Sequence, residues 1–359
     1  SQHSTHPNLN TKPHAMRGAF YFKKILCYYI CFYHHKNYNS PILLIIIIML
    51  KLLTSQLIQL LLVVWSVGTL TFVLMRNLPG DMAYRIAASR YGYDQVTASS
   101  ASQVRAELGL DLPWYEQYIA WFGDLLRLDL GNSLVSGASV WSELAHQFGH
   151  TLALAFVALV ISLIIAPPIG ILSALRPNGV FDRFTLFIAT LLRSAPAFII
   201  GVLLITIFAV HLKWLPAIGY GKPINYVLPA LTLALGLSAV SIRVSRNAAV
   251  AVLDSTFYEF AKLKGLTPWQ AFRRHGVRNI AIPIVAYHGV QLIYLIEGMV
   301  IVESLFAWPG IGHALVHAII ARDIPMIQGS ALVMGGLFVV LNTILDVINR
   351  YIDPRYEAH

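Results

Sequence analysis

The sequence predicts an all-helical integral membrane protein with about six membrane-crossing helices, and three observations carry that expectation. Hydrophobic residues make up 57% of the 359 and charged ones only 12%, whereas a soluble globular domain carries roughly 25% charged residues. Long stretches hold no charge at all: Leu52 to Met75, Thr151 to Leu175 and Ile324 to Leu345. Each is long enough to cross a hydrocarbon core that needs about 20 helical residues. The lysines and arginines are scattered between these stretches, so the net charge of +9 reads as loop charge that fixes membrane orientation. A nucleic-acid binder would instead gather them on one solvated face.

The remaining spans are less uniform. Phe184 to Val210 is interrupted by Arg193 and by Pro196, which is expected to kink it, and Ile224 to Ile242 has Pro229 near its first turn. The fifth, about Ile282 to Val302, carries Glu297. Residues 1–48 are rich in His, Tyr, Lys and Asn, run into an Ile-rich stretch, and lack a small-residue cleavage site. They read as an extension outside a folded body of 49–359, with Met49 the expected beginning; an extra amphipathic or membrane-embedded helix is the alternative. Within that extension Cys27 and Cys31 lie near His34 and His35. Their spacing fits neither a common zinc pattern nor an unstrained disulfide, so they read as incidental thiols.

Six crossings place both ends of the core on one side, and short loops rich in Lys and Arg stay in the cytoplasm. The 246–281 loop and its approach hold Arg243, Arg246, Lys262, Lys264, Arg273, Arg274 and Arg278, so that side is expected to be cytoplasmic. The long 77–149 loop, with eight acidic residues against four arginines, then lies outside. Short amphipathic helices at Val104 to Leu108 and Tyr115 to Leu128 make it a small ordered cap.

The 246–281 loop is the most informative part of the chain. Ser255 to Leu266 reads as a short helix capped by Asp254 or Ser255 and ended by Gly265 in a left-handed conformation. Pro268 can open a second helix. A surface helix held between two spans suits a cytoplasmic partner, and a basic loop held by anionic lipid is the other reading.

The residues Tyr258, Glu259, Ala261, Lys264, Gly265 and Leu266, with His275, Arg278, Asn279 and Ile282-Pro283, resemble the coupling loop of binding-protein-dependent ABC importer permeases of the dipeptide, oligopeptide and nickel branch. Phe260 stands where the general importer motif has an alanine, and Pro283 comes later than in that motif, as in the branch. Further landmarks follow in order: Leu78-Pro79-Gly80-Asp81, Leu108-Gly109-Leu110-Asp111 with Pro113, and Asp129-Leu130-Gly131 with Ser133. Then come Trp214-Leu215-Pro216, Glu303 with Phe306-Ala307-Trp308-Pro309-Gly310-Ile311-Gly312, Arg322-Asp323 with Pro325, and Asp353-Pro354-Arg355.

The resemblance implies a type I importer permease in a bacterial inner membrane. It would pair with a second homologous permease, two ATPase subunits and an extracytoplasmic substrate-binding protein, and pass di- or oligopeptides, or nickel or a metal chelate. The chain shows no Gly-x-x-x-x-Gly-Lys-Ser/Thr loop, so ATP and Mg are expected only in the partners and no cofactor in this chain. Glu259, Ala261 and Gly265 would feel closure of the ATPase pair. Glu297 is the pathway or gate candidate, a satisfied structural carboxylate being the other reading, and Arg193 is either its counter-charge or a residue near a membrane face; Glu303 is expected to hold the Trp308-Pro309-Gly310 turn together with Gly312. His313 and His317 share a helix face, but no metal role is expected for them. A stand-alone secondary transporter would show ion-coupling acids and an inverted repeat, and a membrane-embedded enzyme a clustered nucleophile and base; neither pattern is evident.

Overall fold

Inside hydrocarbon every backbone group must find its partner within the protein, which leaves helices as the economical solution. The computed structural model of the chain is helical accordingly. It describes residues 41–77, 80–92, 94, 96–107 and 111–352; the side chains of 41–53, 75, 293, 294, 296, 297 and 346–352 lie outside the description. So do the Cys27 and Cys31 group, Leu78-Pro79, Leu108 to Leu110 and Asp353-Pro354-Arg355. Two compact units are distinguished, 1–58 and 59–359. In the first, 41–58 are the opening turns of helix α1 (Pro41–Asn77).

In the second unit, α1 is followed by three short helices, α2 (Met82–Tyr91), α3 (Ala98–Glu107) and α4 (Trp114–Leu126). The Asp81 side chain caps α2 by accepting from the Ala83 amide at 2.9 Å. Buried Ala83, Ile86 and Ala87 of α2 pack on Val104 of α3. α3 is thus a longer helix than the few residues predicted around 104–108, and it buries Ala101 and Val104. α4 lays an aromatic face on α1: Phe72 meets Tyr118 edge-on at 5.3 Å and stacks on Trp121 at 6.0 Å. Gly68 makes room, since a Cβ there would sit 2.6 Å from the Trp121 ring.

The bundle is built on α5 (Val140–Ala174), which begins eleven residues before the uncharged run, and on α8 (Val227–Leu253). Between them lie α6 (Val180–Ser194) and α7 (Ala197–Leu204), the latter continuing as a π-helical turn over Ile205–His211. The span expected at 184–210 is more than kinked: α6 and the segment from Ala197 to His211 meet at 107°. Ala195, ahead of Pro196, is extended (φ −81°, ψ 125°), the conformation that a following proline ring imposes. Beyond α8 come α9 (Thr256–Leu263), α10 (Pro268–Ala271), a π-helical turn over Phe272–Gly276, α11 (Val277–Leu305), α12 (Ile311–Ala321) and α13 (Ile324–Ile352). Among the described residues four helices are long and apolar enough to cross a membrane, and the bent pair makes a fifth. The predicted Ile282 to Val302 span lies on α11, an unbroken helix of 29 residues.

α5 and α8 approach closely because small residues face each other; a Cβ on Gly170 would lie 2.5 Å from the Ile242 carbonyl. The main core joins Leu154 and Ala158 of α5, Leu233 and Leu237 of α8, and Leu295, Met299 and Val302 of α11. Where α5, α6 and α8 meet, Asp182 is 1% exposed and accepts two bonds from Arg246, at 2.9 and 2.7 Å, one from Ser173 at 2.6 Å and one from the Asn178 amide at 2.8 Å. Its oxygens are fully used, the condition under which a buried charge pair is tolerable.

Removing one partner leaves the other charge buried. Asp182→Ala is therefore expected to destabilise the protein by about 3–5 kcal/mol, read as a fall in unfolding midpoint in detergent. The double replacement Asp182→Leu with Arg246→Met should recover much of that loss.

Candidate functional site

The loop between α8 and α11 folds around its own small core. Tyr258 and Ala261 of α9 are buried against Ala271, with Leu253, Leu266 and Phe272 around them, and the Tyr258 hydroxyl donates to the Pro268 carbonyl at 3.1 Å. Thr267 starts α10 with a complete capping box: its side chain accepts from the Gln270 amide while the Gln270 side chain accepts from the Thr267 amide. Gly265 ends α9 at φ +88°, with open space where a Cβ would go. Within this chain the glycine answers to backbone conformation, not to crowding.

Burial sorts the predicted coupling residues into two groups. Tyr258, Ala261 and half-buried Leu266 face inward and hold the loop, whereas Glu259, Lys264 and Gly265 are exposed. Alongside them the structure exposes Phe257, Phe260 and Leu263, the last 84% exposed, and on α10 Trp269; of these only Phe260 falls at a motif position. Lys264 lies 4.6 Å from the Phe260 ring. The three α9 residues recur at spacing three, so helical periodicity could have found this outward stripe.

At the other end of α11, Glu303 is 0% exposed. Its carboxyl group accepts from Thr151 Oγ1 at 2.8 Å, the Gly312 amide at 2.8 Å and the His313 amide at 3.3 Å. It thereby closes the N-terminus of α12, where unpaired amides favour an acceptor. Thr151 Oγ1 in turn accepts from the Ile311 amide at 2.9 Å. The buried Trp308 donates its ring N–H to the His150 carbonyl at 3.2 Å. Gly310 is required by Glu303: a Cβ there would come within 2.1 Å of Oε1. Gly312 allows the Val300 backbone to pass, and Pro309 is half-buried in the turn.

Other landmarks distant in sequence also converge. Arg322 donates to the Gly80 carbonyl at 2.9 Å, and Asp323 accepts from the Leu134 amide at 3.1 Å and from the Ser133 hydroxyl. These bonds clasp the short-helix cap to the α12–α13 connection. In the cap, a hydrogen bond from Arg90 to Glu107 at 2.8 Å raises the guanidinium above its ordinary pKa.

Glu297 lies on α11 with its side chain outside the described residues, so its pairing with Arg193 does too. Arg193 itself is exposed, one turn before the bend. A polar cluster that the spans did not reveal sits inside the bundle. His288 bonds the Ile284 carbonyl at 2.9 Å and Ser241 at 3.3 Å, and Ser241 donates to Gln291 at 3.2 Å. His313 and His317 stack edge-on at 4.4 Å, and burial, then the neighbouring His317, pushes His313 below its ordinary pKa. Among the described residues no group of three or more His, Cys, Asp or Glu could hold a metal ion.

A multi-pass helical bundle that presents a self-supported surface helix between two long helices has the form of the membrane part of a transporter. The chain belongs to the family of binding-protein-dependent transport system inner membrane components: that family's model matches residues 166–358, and the model of the family's N-terminal region matches 49–155. It is thus an ABC importer permease subunit, multi-pass in the inner membrane, of a family that works with ATPase and substrate-binding partners. The glutathione transport system permease protein GsiC of Escherichia coli (strain K12) is 36% identical over 305 residues, covering 84% of this chain and 98% of the relative. GsiC of Pectobacterium atrosepticum matches equally, 36% over 305 residues with the same coverage. Among solved structures, a chain of the inward-facing MetNI methionine ABC transporter superposes with a TM-score of 0.50 at 21% identity, covering 59% of this chain and 96% of that one. This likeness is one of fold, that of a type I importer permease.

Because the loop between α8 and α11 owes its shape to Tyr258, Tyr258→Ala should loosen it without unfolding the bundle. Trypsin cleavage at Lys262, Lys264 or Arg273 is expected to accelerate several-fold while the global unfolding midpoint moves little.

Proposed function

We propose that this chain is one permease of an ATP-driven importer that carries di- and oligopeptides inward by alternating access. It pairs with a second, homologous permease, takes two ATPase subunits on the α9 surface and its counterpart, and receives substrate from an extracytoplasmic binding protein. Both ends of the core and the 246–281 loop lie in the cytoplasm, as the lysines and arginines of that loop favour. The reading rests chiefly on one observation: α9 turns Phe257, Phe260 and Leu263 outward from a loop already stabilised by its own core. An exposed apolar stripe on a rigid support is what a docking partner covers. ATP is hydrolysed in the partners, and this chain binds no nucleotide.

The mechanical step follows from the connections. α9 hangs from α8, and Arg246 on α8 is bonded to Asp182 at the start of α6. A displacement of α9 by closing ATPases therefore moves α8 and α6 together, and the bundle responds by exchanging one packed arrangement for another. Glu297 on α11, with Arg193, is proposed to line or gate the pathway between the two permeases, because an ionisable group in a span is tolerated where it faces water or a partner. A peptide cargo is favoured by the GsiC relatives, whose named substrate, glutathione, is a tripeptide. Nickel or a metal chelate as cargo has no comparable support, and membership in a binding-protein-dependent family sets aside the stand-alone secondary transporter.

Three measurements test the reading. Leu263→Asp should leave the chain inserted but reduce recovery of the ATPase subunits with it, and peptide uptake should fall at least roughly tenfold. Gly265→Trp, which forces a side chain into the left-handed position, should abolish uptake of labelled di- and tripeptides in an inserted protein; unchanged uptake would count against the coupling role. A cysteine placed at Lys262 should react with an impermeant thiol reagent only after the membrane is opened.

A further inference from the structure

At the Trp308 end of α5, two imidazoles with the same i, i+4 spacing as His313 and His317 converge. His146 and His150 stand one turn apart, and their Nε2 atoms approach to 3.4 Å with the rings edge-on at 84°. Tyr220, from the connection between α7 and α8, brings its hydroxyl to 3.1 Å from the same His150 Nε2. At 3.4 Å this is a long contact for a hydrogen bond, so it holds the two nitrogens to each other only weakly. A metal ion about 2.0–2.1 Å from each would see them at about 110°, the tetrahedral angle.

We propose that His146 and His150 form a binding site for a divalent transition-metal ion of the Cu2+, Ni2+ or Zn2+ class. Neutral imidazole nitrogens select these ions over Ca2+ and Mg2+, which prefer oxygen donors. The phenol of Tyr220 can donate a hydrogen bond to His150 Nε2 in the free state, which favours the tautomer in which that nitrogen carries no proton. His146 and Tyr220 are exposed, so solvent completes the coordination and ions can enter. The backbone beneath is fixed independently, because the His150 carbonyl accepts from buried Trp308. The site needs no particular cargo, and it departs from the absence of metal that the sequence alone led us to expect.

The test uses the full complex, purified through an affinity tag without histidines, placed in lipid nanodiscs and titrated with Cu2+ under electron paramagnetic resonance. One ion per copy of this chain is expected, with coupling to two imidazole nitrogens. His146→Ala and His150→Ala should each weaken binding by roughly tenfold or more, since half of the protein donors are lost. Exposed His146 carries the test should the His150 variant unfold, which its melting curve reports. The His313→Ala, His317→Ala double variant controls for the other helical pair and should bind as before. Binding that survives His146→Ala unchanged, or that disappears only in the His313 and His317 variant, overturns the proposal.

Discussion

A carboxylate shut away from water by three helices must be answered by the protein itself, and the pair Asp182 and Arg246 is the answer on which the bundle depends. Ser173 at the end of α5, Asn178 in the turn, Asp182 at the start of α6 and Arg246 on α8 meet at one point. Without it the tight turn between α5 and α6 would have no reason to stay against the helix that leads to α9. An ion pair of this kind is weak evidence for stability beyond what apolar side chains would give. Its value is geometric: a bidentate guanidinium fixes both distance and orientation, so helices joined through it move as a unit.

Glu303 supplies the matching constraint at the far end of α5. From Thr151, which it engages, to Ser173, which engages Asp182, α5 rises about 33 Å at 1.5 Å per residue, close to the thickness of a hydrocarbon core. Two carboxyl groups thus pin the same helix about one membrane thickness apart. One ties α5 to α6 and to α8, which leads into the 246–281 loop; the other ties it to α11 and to α12. Between them the contacts are small and apolar, such as Gly170 against the Ile242 backbone and Ala158 within the main core. Such surfaces can slide between packed arrangements while their ends stay fastened.

Much of this was readable in advance, but unevenly. The uncharged runs mark where helices cross, because hydrocarbon excludes charge wherever the chain meets lipid. They did not mark where helices end: α5 begins with Glu143 and His146 in its first turns, and α8 carries Arg243 and Arg246, since a helix continues into water at little cost. Pro196 announced a break, yet the 107° angle depends on how α7 packs against α8 and α11. In the 246–281 loop Gly265 and Pro268 fixed the punctuation, while the division of α9 into a buried Tyr258 side and an exposed Phe260 and Leu263 side required the loop's own core.

Local chemistry therefore determined the class of protein and roughly where its apolar helices lie, because hydropathy and turn residues act over a few neighbours; six crossings were expected, and among the described residues four helices are long and apolar enough, with the bent pair as a fifth. Tertiary structure alone decided which distant residues meet. Asp182 finds Arg246, Glu303 finds Thr151, Arg322 finds Gly80, and His150 finds Tyr220. Each meeting joins segments far apart in the chain, and one-dimensional periodicity says which face of a helix is apolar without saying what will cover it.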